Sequence, residues 1–230
     1  MSAGDEITLK RRRSEFILPI IMCLIKLSGL SLLLNLCFCS IFSQNYNPRI
    51  QPGTAFQYEF WDKLAGKLVV DGSFISLDNG GLSFYDTLRL KEKSQVYRTI
   101  ISKKGMEKGD CMKPPKEDPR SVQHGVYTFI LSDNETDHCF SRSFLKNIKI
   151  DKTDVYGGIT YFMEEGPAVK DFELNGVKWN AIHIISANKQ KRFTILNNEE
   201  YPLILQSSSE DVNSLLTRFS DPPPPEPKKQ

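Results

Sequence analysis

Short apolar runs separated by turn signals occupy most of residues 55–220, and they commit the chain to strand pairing. In GLSFYDTLRLKEK, Leu82, Phe84, Leu88 and Leu90 share one parity, while Ser83, Tyr85, Thr87 and Arg89 share the other. That is the alternation of a half-buried strand. KLVVDGSFISL precedes it, with Gly72 at a bend, and Asp78-Asn79-Gly80-Gly81 between the two is a hairpin signal. SQVYRTIIS, HGVYTFILS, FLKNIKID, GGITYFMEE, VKWNAIHIIS, KRFTILN and YPLILQ extend the series to about eight or nine strands. Their even spacing predicts a mainly β domain, a single curved antiparallel sheet curled into an incomplete barrel. Residues 103–121, rich in Lys, Gly, Pro and Asp, read as a long loop. One amphipathic helix is expected near the C-terminus. Ser207 and Glu210 have capping-box spacing, and Val212, Leu215, Leu216 and Phe219 follow at helical intervals. Such a helix either closes a mouth of the barrel or packs on an outer face.

The flanks differ from this block. Residues 16–42 are almost continuously apolar behind Arg11, Arg12 and Arg13, so residues 1–43 read as a signal peptide or a signal anchor. Lys26 divides the run into stretches of 10 and 16 residues, each shorter than the ~20 that cross a bilayer. Read from Met22 as the start, the segment has a short basic region, an apolar stretch and small residues, Ser40 and Ser43, for cleavage before Gln44. This favours cleavage; an uncleaved 16–42 anchor is the alternative and the chain's only route to a membrane. Both place the rest on the lumenal or extracellular side. Residues 44–54 read as a flexible leader and 221–230 as an extended polyproline tail. No linker interrupts the domain at 55–220.

Charge excludes one class of partner. Five of the 30 basic groups and three of the 28 acidic groups lie in residues 1–43, leaving 25 of each in the remainder. A domain with no basic surplus is not a nucleic-acid binder. Cysteine usage agrees with export. Only Cys111 and Cys139 follow the targeting segment, and a bridge between them in an oxidising compartment stabilises by about 3–4 kcal/mol on the chain-entropy model. Two separate thiols are the alternative. Asn134-Glu135-Thr136 is an N-glycosylation sequon in a polar turn.

Catalytic signals are weak. His183 sits in a strand between Ile182 and Ile184 and faces away from both, a structural setting. Asp137-His138-Cys139 has the residue types of a nucleophilic arrangement, but a cysteine held in a disulfide is no nucleophile. Cys111, His124, His138 and Cys139 have zinc-ligand chemistry without the short paired spacings of structural sites. There is no nucleophile elbow, no HExxH and no phosphate loop; Asn79-Gly80-Gly81 and Tyr156-Gly157-Gly158 are turns. No resident cofactor is expected. The acidic pairs at 164–165 and 199–200 offer at most weak calcium binding through loop carboxylates.

What remains is apolar. Fourteen Phe, eight Tyr and two Trp exceed what a thin two-sided sheet needs. They supply either a packed core or a concave apolar face that takes up a hydrophobic guest.

Several segments carry a resemblance. Phe84-Tyr85-Asp86 with Arg89, the run Leu174-Asn175-Gly176-Val177-Lys178-Trp179, and Arg192-Phe193-Thr194-Ile195-Leu196 followed by Tyr201-Pro202-Leu203-Ile204-Leu205 resemble ependymin-related secreted proteins. The similarity covers about residues 56–219. It implies a fold like that of the LolA-type bacterial lipoprotein carriers, an incomplete barrel with a helical lid over an apolar cavity. It also implies a secreted glycoprotein that binds a hydrophobic ligand without catalysis, calcium-responsive in some members. Ependymins proper carry more cysteines than the two left here and lack the polyproline tail. On this reading Tyr85, Trp179 and Phe193 are candidates for the cavity wall, and the partner is a lipid or another hydrophobic small molecule. The alternative is an extracellular matrix or cell-surface interaction protein with a filled core.

Overall fold

Four strands in sequence, Ala55–Asp62 (β1), Gly66–Ser76 (β2), Leu82–Leu90 (β3) and Lys93–Ile101 (β4), form an antiparallel meander. These coordinates are a computed structural model that describes residues 45–90, 93–112, 121–123, 125–167 and 169–220. Residues 1–43, read as a signal peptide or signal anchor, His124, and the tail at 221–230 lie outside the described residues. The parity read from the sequence holds in β3: Leu82 and Phe84 are buried while Tyr85 is exposed. The hairpin before it turns at Asp78–Gly80, with Asn79 and Gly80 at positive φ.

Beyond the meander come Cys111–Met112 (β5), Ser121–Gln123 (β6), Val126–Ile130 (β7), Glu135–Thr136 (β8), Thr153–Tyr156 (β9) and Ile159–Glu164 (β10). Then follow Glu173–Leu174 (β11), Val177–Lys178 (β12), Ala181–Ser186 (β13), Arg192–Leu196 (β14), Ile204–Ser208 (β15) and Val212–Ser220 (β16). Twelve of these strands make one sheet in the order β6-β7-β4-β3-β2-β1-β16-β15-β14-β13-β10-β9. The protein is mainly β and the sheet mostly antiparallel. It is not closed into a barrel, because the outer strands β6 and β9 do not pair with each other. Register shifts within the β1–β16, β2–β3 and β14–β15 pairs are of the kind that bend and twist a sheet locally. The sheet departs from the all-antiparallel expectation at β4–β7, which is parallel: the chain leaves β4 through a helix and β5 before returning.

Two short helices replace segments read otherwise. Lys103–Lys108 (α1) and β5 fall within the stretch expected as a long loop; Ser102 caps α1 by accepting the Gly105 N–H at 3.0 Å. Arg142–Asp151 (α2) contains FLKNIKID, read as a strand. Its apolar spacing is helical: Phe144, Leu145 and Ile148 form one buried face, behind the Ser141 N-cap.

The expected C-terminal helix does not form. Val212–Ser220 is β16, paired with β1 from Asp62↔Val212 to Ala55↔Ser220 and with β15 on its other side. Ser207 and Ser214, the former read as a helix cap, share a 2.6 Å hydrogen bond across β15 and β16. Local helical spacing is a weak preference against pairing with β1 along the strand and with Gln206–Ser208 of β15 on the other side.

The leader, expected to be flexible, is held where it is described. Tyr46 bridges Trp179, its N–H donating to the Lys178 carbonyl at 2.7 Å, and Ile50 and Thr54 are buried.

Candidate functional site

The apolar rows of the strands share one face of the sheet. Near one end that face is packed: Phe56, Phe74, Phe84 and Ile101 form a core with Met106 of α1 and Cys139. A second core joins α2 to β9, β10, β13 and β14 around Phe140, Phe144, Tyr156 and Tyr161. Between these cores the same rows face a cavity of about 900 Å³. Tyr58 and Phe60 of β1, Val70 of β2, Leu88 of β3 and Tyr97 of β4 line one side. Phe140, Tyr161 and Phe193 line another, and exposed Lys191 marks a rim. The volume lies in the range of small-molecule sites and the walls are chiefly aromatic and aliphatic.

The floor is charged. Asp86 belongs to the inward parity of β3, and the segment 137–140 brings Asp137 and His138 against it. Backbone bonds sew this segment to the chain entering β15: the Ile204 N–H donates to the His138 carbonyl at 2.9 Å, and the Phe140 N–H to the Pro202 carbonyl at 3.0 Å. His138 has φ 57°, a left-handed conformation uncommon outside glycine. The ring lies parallel to Tyr58, centroids 5.3 Å apart, and meets the Phe84 ring at 5.4 Å. Tyr58 in turn donates its hydroxyl to the Ile204 carbonyl at 2.6 Å.

His138 Nε2 stands 3.1 Å from Asp86 Oδ2 and 3.9 Å from Asp137 Oδ1. Asp86 and Asp137 are 4% and 5% exposed, and their other oxygens, Asp86 Oδ1 and Asp137 Oδ2, have no hydrogen-bond partner among the described residues. Burial disfavours the charged imidazole, but the carboxylates of Asp137 and Asp86 outweigh it and raise the ring to about 9. Burial raises the Asp137 carboxyl to about 6, with His138 pulling it back and Asp86 pushing it further. Space for this arrangement depends on Gly72: a Cβ there would sit 2.2 Å from the Phe56 ring and 2.9 Å from Asp86 Oδ1.

Asp86, Asp137 and His138 each present one possible ligand atom, all within 4.8 Å of one another. An imidazolium, however, donates from both nitrogens, so a metal ion would first have to displace its proton. The zinc set considered from the sequence does not converge among its described members. Cys139 Sγ lies 3.7 Å from Met106 Sδ, and Cys111 Sγ lies 3.5 Å from the Asn134 carbonyl, whereas His138 faces Asp86. The expected Cys111–Cys139 disulfide is likewise absent. The two sulfurs point to different partners, and burial pushes the Cys139 thiol well up, so it is no nucleophile either. Three of the four carboxylates read as weak calcium ligands have basic partners: Glu164 with Arg192, Glu165 with Lys152 and Glu199 with Lys149.

Of the three residues expected in the cavity wall, Phe193 is there, its ring 5.2 Å from Phe140. Tyr85 is not; it is 37% exposed, on the outward parity of β3. Trp179 is buried elsewhere, among Tyr46, Phe172 and Phe219, beside a separate hollow of about 280 Å³. His183 has the structural setting expected of it, with Nδ1 3.1 Å from Thr194 Oγ1, and burial lowers its pKa. Asn134 is exposed, and Thr136 of the same sequon is buried.

The acidic floor was missed, although one signal for it stands in the sequence: Asp86 is the charged residue in the row that contains Leu82, Phe84, Leu88 and Leu90. No known protein family, curated protein or solved structure matches this chain.

Proposed function

We propose that the protein is an exported, non-catalytic carrier that takes a hydrophobic or lipid-like ligand into the trough of its open sheet. One observation supports this above the rest: about 900 Å³ of space, walled by Tyr58, Phe60, Val70, Leu88 and Tyr97, lies on a face whose neighbouring stretches are packed. Filling that space with an apolar guest is favoured by about 25 cal/mol per Å² of surface withdrawn from water. An exported scaffold with a filled core, the competing reading, has no use for the volume. The reading agrees with what the ependymin resemblance implies, an incomplete barrel around an apolar cavity, except that β16 stands where a C-terminal lid helix was expected.

A neutral fluorescent probe tests the reading. We expect saturable one-to-one binding with an emission blue shift. Leu88→Trp, which puts an indole into the cavity from β3, should weaken binding about tenfold or more, as loss of an apolar subsite does, with the thermal transition retained. Absence of saturable binding by the parent protein overturns the carrier reading.

Export is tested separately. Full-length protein made in a secreting eukaryotic cell should appear in the medium with a glycan at exposed Asn134. Treatment with a peptide N-glycosidase should lower its mass, and Asn134→Gln should remove that change.

A further inference from the structure

The cavity's polar end is unevenly charged for a site that takes up apolar guests. Two carboxylates, each at least nine-tenths buried, face a single imidazole, and Asp86 Oδ1 and Asp137 Oδ2 are left without hydrogen-bond partners among the described residues. A buried acceptor without a donor carries a desolvation cost, and a guest that brings a donor removes it. Around the floor, Tyr58 and Phe84 turn their rings toward His138, and Phe60 lies within 6.4 Å of it. Aromatic faces of this kind also favour a cation. The cationic side chain that lines the cavity, Lys191, is exposed at the rim, while Tyr58 is occupied by the Ile204 carbonyl.

We infer that the ligand is a cationic amphiphile, a protonated amine on an apolar body, bound head-down with its ammonium on Asp86 and Asp137. This rests on the carrier reading and specifies the head group it selects. The ammonium donates to the two unpartnered oxygens, and its charge balances the surplus carboxylate that His138 leaves. Its hydrocarbon part lies along Val70, Leu88 and Tyr97 toward the open side. A fatty acid is disfavoured in this pose, because its carboxylate meets two of its own sign. It can be held only the other way round, head-out at Lys191.

Calorimetric titration of the purified full domain with dodecylamine, dodecanol and dodecanoate at neutral pH, below their aggregation limits, tests the inference. The expected order is amine first, by about tenfold or more over the alcohol, the scale of a charge-assisted hydrogen bond, with the carboxylate weakest. Asp137→Asn should cut the preference of amine over alcohol severalfold. The wild-type ranking carries the test by itself if that variant fails to fold. Equal binding of amine and alcohol, or tighter binding of the carboxylate, overturns the head-group assignment while leaving the carrier reading in place. Failure of all three to bind overturns both. Tight binding of zinc chloride alone, abolished by Asp86→Asn, overturns the assignment in favour of a metal centre.

Discussion

Phe140→Ala lowers the free energy of unfolding by about 3–5 kcal/mol. The ring is 1% exposed and joins four others: Phe144 at 4.7 Å, Tyr156 at 4.8 Å, Phe193 at 5.2 Å and Tyr161 at 6.3 Å between centroids. These partners come from α2, β9, β14 and β10, so one truncation removes the piece through which four elements meet. Phe140 also lines the cavity, so its loss enlarges space already present and restores no contact to its neighbours. A domain of this size has about 5–15 kcal/mol in all, so the variant loses a large share. Urea unfolding read by far-UV circular dichroism gives the number, and Leu64→Ala serves as the control. Leu64 is 97% exposed and its truncation should change stability by no more than about 0.5 kcal/mol. A Phe140→Ala protein as stable as that control would mean that the second core is not assembled as described.

His138→Gln costs about 3–5 kcal/mol near neutral pH, the range for leaving a buried charge uncompensated, and the deficit depends on pH. The ring's folded pKa, about 9, stands above the ordinary histidine value of 6.5. The fold therefore favours the protonated form; the stabilisation is complete below about 6.5 and disappears as pH rises through about 9. Asp137 has a folded pKa of about 6 against an ordinary 3.8, so the fold favours its neutral form, and stability is lost as pH rises through that window. His138 therefore makes the wild type more stable as pH falls from about 9 toward 6.5, and Asp137 adds to this only as pH falls further, from about 6 toward 3.8. In His138→Gln the alkaline slope vanishes. Toward pH 5 the deficit narrows because Asp137 takes up a proton, and above pH 9 it narrows because the wild type has lost its imidazolium. Urea midpoints at a series of pH values should give curves that are farthest apart near neutrality. Parallel curves would show that His138 carries no charge in the fold.

The strands were legible because alternation is set by geometry: successive side chains on a strand point to opposite faces, and Leu82, Phe84 and Leu88 declare their face without further context. The hairpin at Asp78–Gly80 was legible for a similar reason, since Asn and Gly tolerate the left-handed turn. The helices failed in opposite directions. FLKNIKID has both a weak alternation and a helical spacing, and the Ser141 cap decided for helix. Val212–Phe219 has a helical spacing but lies between two strands, β1 and β15, that each present an open edge to it. For Val212–Phe219 the outcome is a tertiary matter that no window of sequence contains.

The candidate site was the least legible part. His138 and Asp137 sit in a segment without periodicity, 52 residues beyond Asp86 in the case of the hydrogen-bonded pair, and their partnership exists only once the segment is sewn to β15. Of the expected wall residues, Phe193 shares the inward row, Tyr85 lies on the outward one by a single position, and Trp179 belongs to a separate cluster.

The pairing of β1 with β16 has a consequence for how the protein comes into being. The strand that emerges first from the ribosome among the twelve rests on the one that emerges last, and the Tyr58–Ile204 bond spans 146 residues of sequence. Pairings so distant form slowly, since loop closure precedes any reward for it. During synthesis β1 has β2 on one side and an open ladder on the other, so the nascent chain carries a sheet with its seam undone. Any interruption of translation before Val212 releases a chain whose two halves of the sheet have never been joined.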